Sequence, residues 1–223
     1  MKYRYLLIDH DDTSVDSSPS IHHPAHLEQM KQLGRESESV GADEWMKINY
    51  DPGIQVYLDS VLKLNEQEKK LCYTVWREYA RTRIPEFFPG ILPIMEKFRG
   101  TGGIIVVVTH SEADMVRMHY QHQRDVPGFL PDRIIGWTGD SLKNKPNPWP
   151  VFDVMREYSA QKQEILVVDD LKPGITMAQR AGVDSLGAGW SHHIPEIMED
   201  MKKNCTYYAE TLQKFRDILF NTP

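Results

Sequence analysis

Short β-rich runs, apolar on both faces of the strands they would form, recur along the chain and are separated by stretches with helical spacing. They read YRYLLI (3–8), GIIVVV (103–108), RIIGW (133–137), EILVV (164–168) and VDSLGA (183–188). Strands apolar on both faces and spaced by helices predict a parallel sheet covered on both sides. The first two runs break the rhythm, because about 95 residues separate them, far more than one crossover helix needs. That interval reads as helical. Pro24 stands at a first helical position, and Leu27, Met30 and Leu33 make an apolar stripe that stops at Gly34. Asp51-Pro52 can start a second helix with Ile54, Tyr57, Leu58, Val61 and Leu62 on one face. Asn65 and Glu68 have capping-box spacing ahead of Leu71, Val75 and Tyr79, and Pro85 with Pro89-Gly90 closes the segment.

The expected architecture is therefore α/β, a Rossmann-like doubly wound parallel sheet with an inserted α-helical cap. The boundaries expected are 1–14 and 86–223 for the core and 15–85 for the cap. At 223 residues the chain has room for both.

Composition narrows the function classes. Net charge is −6, from 26 basic and 32 acidic residues, and no Lys/Arg cluster forms a stripe. Both argue against nucleic acid as the main partner. Cys72 and Cys205 lie far apart and in no metal-binding or redox spacing. The N-terminal apolar run meets Asp9 almost at once, unlike a signal peptide or membrane span. The expectation is a cytoplasmic protein with no membrane partner, its oligomeric state open and compatible with a monomer.

In a doubly wound sheet, ligands bind at the carboxyl ends of the strands. The first strand ends in LLIDHDDT, where alternation places Asp9, Asp11 and Thr13 on one side and His10 and Asp12 on the other. The second ends in Thr109, His110 and Ser111, and the fourth in Asp169-Asp170. Between the third and fourth, Lys145 precedes three prolines at alternate positions, which stiffen its loop. Crowded carboxylates are tolerable around a hard cation. Ser111, three residues before Asp114, has the spacing of a helix N-cap, which would leave nearby backbone N–H groups for an anion. Acids, metal, lysine and an anion cradle together suit phosphoryl transfer, in which positioning and charge neutralisation supply most of the catalysis.

In that order, LLIDHDDT, VVVTHS, KPNPWP and LVVDD resemble the four motifs of the haloacid dehalogenase superfamily. VDSSP, FPGI, AQRAG and GW extend the resemblance along nearly the whole chain to the phosphoglycolate phosphatase and β-phosphoglucomutase group, with its helical cap. The resemblance implies that Asp9 is the nucleophile, forming an aspartyl-phosphate and binding Mg²⁺. It implies that Asp11 is the general acid and base, with its carbonyl on the metal. Thr109 and the His110 amide would hold phosphate, Lys145 would neutralise Asp9 and phosphate, and Asp170 would complete the metal site. Asp169 would be its neighbour or an alternate ligand, and the partner a small phosphorylated metabolite. Four positions depart from the pattern. Asp12 and Ser14 stand where relatives often carry glycine and leucine, His110 replaces asparagine or serine, and Gly174 lies where many relatives have a second fourth-motif acid.

Other readings stand beside this one. Within the chemistry, a phosphomutase would pass the phosphoryl group to a sugar hydroxyl, and a phosphonatase would need a cap lysine such as Lys47 or Lys63. A catalytically weak binding or regulatory member would keep only the fold; intact Asp9 and Asp11 speak against it. His22, His23 and His26, and likewise His119 and His122, lack acid or cysteine partners at ligand spacing and read as solvated helix residues. Arg77, Arg81 and Arg83 read as a solvated helix end. Specificity is expected in the cap around Asn49 to Gly53.

Overall fold

The computed structural model describes residues 2–221. In chain order its strands are β1 Tyr5–Ile8, β2 Val15–Asp16, β3 Glu86–Phe87, β4 Ile104–Val108, β5 Arg133–Ile135, β6 Ile165–Asp169, β7 Asp184–Ala188 and β8 Tyr207–Ala209. The helices are α1 His23–Gln32, α2 Ala42–Tyr50, α3 Ile54–Val56, α4 Glu66–Thr82, α5 Ile91–Gly100, α6 Ala113–His122, α7 Trp149–Tyr158, α8 Lys172–Ala181, α9 Pro195–Asn204 and α10 Leu212–Asn221. Two compact units result. One holds the residues up to Val15 and from Phe87 onward; the other is Asp16–Glu86.

In the first unit a six-stranded parallel sheet runs β5-β4-β1-β6-β7-β8. Its strands are apolar on both faces because each face has its own core. Leu6, Ile8, Ile105, Val107, Leu166 and Val168 pack with Met95 and Phe98 of α5, Tyr120 of α6 and Phe215 of α10. Tyr5, Leu7, Val106, Val108, Ile165 and Val167 pack with Val151 and Val154 of α7 and Met177 and Ala178 of α8. Most of these side chains are fully buried, each worth about 1.5–3 kcal/mol relative to exposure. This is the doubly wound sheet expected from the runs. The three-residue edge strand β8, half-buried at Tyr207 and Tyr208, has no apolar run to announce it.

The second unit is helical, with a core of Met30, Trp45, Ile48, Tyr57, Leu62, Leu64 and Cys72. The capping box at α4 is formed: Asn65 Oδ1 accepts from the Gln67 and Glu68 amides, and Glu68 accepts from the Asn65 amide at 2.8 Å. The helix expected from Asp51-Pro52 starts later. Gly53 has φ +93°, a left-handed conformation that favours glycine, so the chain turns there and becomes helical only at Ile54. Ala42–Tyr50 is a helix that the sequence reading did not single out.

Candidate active site

β1 is central in the sheet, so its carboxyl end opens between those of β4 and β6. The Asp9 amide still donates to the Val168 carbonyl at 2.9 Å, after which the chain turns sharply. The His10 carbonyl accepts from the amides of Ser14 (2.9 Å) and Val15 (3.0 Å). Asp12 takes the left-handed conformation, φ 53°, which aspartate tolerates better than most residues. Ser14 Oγ donates to the Asp9 carbonyl at 2.7 Å. The two departures in this turn thus have local roles, one conformational and one as a hydrogen-bond donor.

Lys145 sits at the centre of the acids. Its Nζ lies 2.7 Å from Asp169 Oδ2 in a directed hydrogen bond and 2.8 Å from Asp9 Oδ1 as an ion pair. The loop carrying it is fixed by a His110 Nε2 contact to the Lys145 carbonyl (2.8 Å) and an Arg180 bond to the Pro146 carbonyl (3.1 Å). Asp9, Lys145, Asp169 and Asp170 are all buried. Burial disfavours the Lys145 ammonium, but Asp169 and Asp9 overcome that and hold its pKa above the ordinary lysine value. One ammonium does not balance the carboxylates. Burial pushes the Asp9 pKa well up, Lys145 opposes this, and Asp169 and Asp11 add to it. Burial likewise raises Asp170 well above its usual value, with Asp169, Asp12 and Asp9 reinforcing it.

Gly174 explains how Asp169 fits. A Cβ at position 174 would lie 1.9 Å from Asp169 Oδ2. The space that a side chain at 174 would fill is therefore taken by the carboxylate that binds Lys145.

One oxygen from each of Asp9, Asp169 and Asp170 can be chosen so that all lie within 4.8 Å of one another. Asp169 uses Oδ2 for Lys145 and Oδ1 for the Leu171 amide at 2.9 Å. Asp170 Oδ1 accepts from Thr13 Oγ1 at 2.9 Å, while its Oδ2 is buried without a hydrogen-bond partner. An oxygen-only donor set with an orphaned buried carboxylate oxygen fits a hard divalent cation.

Asp11 stands apart from that trio. Its Oδ2 accepts from Ser111 Oγ at 2.7 Å and lies 3.3 Å from Thr109 Oγ1. Thr109 Oγ1 also accepts from the Ser111 amide at 2.9 Å. The N-cap of α6 is Glu112, without a side-chain capping bond, and not Ser111 as its spacing with Asp114 predicts. The Ser111 hydroxyl is spent on Asp11, a stronger charge-assisted acceptor. His110 turns its ring to the Lys145 carbonyl.

His122 is exposed, as its spacing predicts, whereas His26 and His119 are buried and His22 and His23 half-buried. His119 is buried, with Nδ1 2.9 Å from His10 Nε2 and the two rings stacked at 5.2 Å. His26 is 1% exposed, accepts from the Val40 amide at 3.2 Å and stacks on Trp45 at 4.5 Å. His23 contacts the Val40 carbonyl at 2.9 Å, and His22 accepts from Trp76 Nε1 at 3.1 Å. Arg83 donates to the Ser20 carbonyl at 2.8 Å and covers the Tyr79 ring, so it is not simply solvated.

The sequence profile described as haloacid dehalogenase-like hydrolase matches residues 6–188, which include every residue of this site. The chain belongs to the haloacid dehalogenase-like hydrolase family. Among curated relatives, it is 23% identical over 222 residues to a protein of Caldanaerobacter subterraneus subsp. tengcongensis named as a pyrophosphatase, PpaX, covering 98% of this chain and 96% of that one. It is also 23% identical over 199 residues to a phosphoglycolate phosphatase of Photobacterium profundum, covering 85% of each. A crystal structure from Bacteroides fragilis, described as a haloacid dehalogenase-like hydrolase, superposes with a TM-score of 0.80 at 18% identity, over 96% of this chain and 100% of that one. Among the described residues of this family member, no helix is long and apolar enough to cross a membrane.

Proposed function

We propose that the protein is a Mg²⁺-dependent phosphatase that hydrolyses a small phosphate monoester through an aspartyl-phosphate on Asp9. The observation that carries this is the buried Asp9–Lys145–Asp169 bridge beside Asp170 at the carboxyl edge of the sheet. That site holds more carboxylate than one ammonium neutralises, a costly arrangement unless further positive charge arrives. Asp9 and Asp170, with the Asp11 carbonyl, would hold the metal, and Asp169 would keep Lys145 in place. Bound there, Mg²⁺ supplies positive charge against both the carboxylates and the phosphoryl oxygens.

The chain's own residues then divide the work. Asp9 attacks phosphorus as the ester P–O bond breaks, and Asp11 gives its proton to the departing alkoxide. A water next attacks phosphorus, the Asp9–P bond breaks, and Asp11 takes the water's proton. Lys145 faces the Asp9 oxygen and offsets charge on the phosphoryl group. The Thr109 hydroxyl and the His110 amide hold that group in line. The hydroxyls of Ser111 and Thr109 hold the Asp11 carboxyl in position for both proton transfers.

The test is phosphate release from phosphorylated metabolites, pyrophosphate and a generic aryl phosphate, with and without Mg²⁺. Chelation should silence the enzyme and added Mg²⁺ restore it. Asp170→Ala should raise the Mg²⁺ requirement far more than Asp169→Ala. Full activity in chelator would reject the metal reading, and transfer to an added sugar phosphate rather than to water would mark a mutase.

A further inference from the structure

His10 stands between Asp9 and Asp11 and serves the turn with both its backbone and its ring. Its carbonyl accepts the Ser14 and Val15 amides and so closes the turn. Its side chain is fully buried, the ring 6.2 Å from that of Phe87 and 5.6 Å from that of Tyr120. Both neighbours belong to the apolar core on one face of the sheet. A leucine or phenylalanine would fill such a place without a partner, whereas a buried imidazole is costly unless hydrogen-bonded. The partner is His119 of α6, itself buried: His10 Nε2 and His119 Nδ1 lie 2.9 Å apart, with ring planes inclined by 24°. One of these nitrogens carries the shared proton and the other is bare, so the contact is directional as well as space-filling.

α6 therefore holds the turn from two directions. Just before its first residue, Ser111 Oγ and Thr109 Oγ1 lie 2.7 and 3.3 Å from Asp11 Oδ2. Further along, His119 holds the residue that precedes Asp11. Tyr120 packs on the same His10 ring, and the Ser14 hydroxyl opposes the rise that burial gives the Tyr120 pKa. Ser14 Oγ in turn donates to the Asp9 carbonyl. Asp9 and Asp11 are thus registered against the helix that follows Thr109 and Ser111.

We propose that His119 is a positioning residue: bonded to His10, it sets the turn from which Asp9 and Asp11 project and aligns that turn with Thr109 and Ser111. It touches none of the reacting groups, and its effect on turnover rests on the phosphatase reading of Asp9 and Asp11. Misplacement by about 1 Å in such a site costs on the order of 100-fold in rate. A directed bond one residue from the nucleophile has that leverage.

The full wild-type chain is compared with His119→Phe, His119→Asn and the double variant His10→Phe/His119→Phe in urea unfolding, Mg²⁺ calorimetry and phosphate release. His119→Phe keeps a ring but removes this partner of His10, so it should lose stability. The double variant replaces both partners by apolar rings, an exchange that can be nearly neutral, and should regain most of that loss. Turnover should not return with it. Both Phe variants should show kcat lowered about tenfold or more, with KM within about twofold of wild type. Both should also bind Mg²⁺ about threefold or more weakly. His119→Asn, whose amide can stand where Nδ1 stood, should restore part of kcat and of Mg²⁺ affinity. Turnover and Mg²⁺ affinity that simply follow stability across the three variants would overturn the inference and assign the pair to packing alone. If the wild type binds Mg²⁺ but releases no phosphate, the phosphatase reading falls while the Mg²⁺ affinities still decide this one. A wild type that does neither overturns both.

Discussion

The sheet edge and the helical unit both bury polar side chains, but they bury different kinds. At the sheet edge, the ionisable side chains of Asp9 and Asp169 bridge one ammonium with Asp170 close by, and Asp9 and Asp170 have pKa values driven well upward. In the helical unit, His26 and Gln29 are neutral groups bonded to single backbone atoms, the Val40 amide and the Cys72 carbonyl. Neutral polar burial with a backbone partner costs little and fixes a loop or a helix pair. Charge burial in excess of countercharge costs much and persists where a ligand supplies the remainder. Burial alone does not mark a functional residue; uncompensated charge does.

The largest effect that could break this contrast is at Asp9. Asp9→Asn should lower turnover by about 10⁴-fold or more, as loss of a nucleophile does, while folding normally, since it removes one of the excess charges. Phosphate release together with thermal unfolding checks both halves, and near-wild-type turnover would refute the nucleophile.

Next in size is Lys145. Lys145→Met leaves buried carboxylates without their cation and should cost about 3–5 kcal/mol in urea unfolding. Adding Asp169→Asn should recover part of that loss, because the two groups are in contact and their effects do not add. A double variant no more stable than the single one would show that the bridge is not energetically coupled.

The helical unit should respond to acid instead. Burial, with His23 reinforcing it, pushes His26 down to about 4, against about 6.5 for an unfolded histidine. The unfolded chain therefore binds the proton more readily between these values. His26's contribution to stability is fully present above about pH 6.5 and is lost as pH falls toward about 4, on the order of 2 kcal/mol at pH 5. His26→Gln, which keeps an acceptor for the Val40 amide, should flatten this slope in Trp fluorescence unfolding curves. Parallel curves for wild type and variant would assign the acid sensitivity elsewhere.

The smallest expected effect is at Ser111. Ser111→Ala removes one donor to Asp11 and should slow turnover about tenfold, the scale of one charge-assisted hydrogen bond. Alkyl phosphates should lose more than aryl phosphates, whose leaving groups need little proton assistance. Equal losses would mean that Ser111 acts on something other than Asp11.

These regions also differed in how much the sequence disclosed. The five strands were legible because two-sided burial leaves largely apolar runs; the strand ends then located Asp9 and Asp170, and the proline-rich loop between two runs located Lys145. α2 was not, since Trp45, Met46, Ile48 and Tyr50 are crowded into its second half behind a polar stretch. His26 and His119 were misread because a neutral histidine with one partner is as buriable as a tyrosine, and no spacing rule records the partner. Ser111 was read as a cap from its local spacing, whereas its acceptor is Asp11, a hundred residues earlier.

The close approach at Gly174 has a consequence for how this site can change over generations. A side chain there and the carboxylate of Asp169 cannot share the same volume. Substitution at 174 before residue 169 has shortened puts a methyl group into the oxygen that holds the lysine. Shortening residue 169 first frees the space but deprives the lysine of an anchor until a new acid arrives. The two positions therefore form an ordered pair, in which the fitness of any change at one depends on the history of the other. A fixed spacing of acids along the chain is then an unreliable way to recognise such sites. In this chain the volume beside the lysine is filled by Asp169, and a side chain at 174 would compete for it.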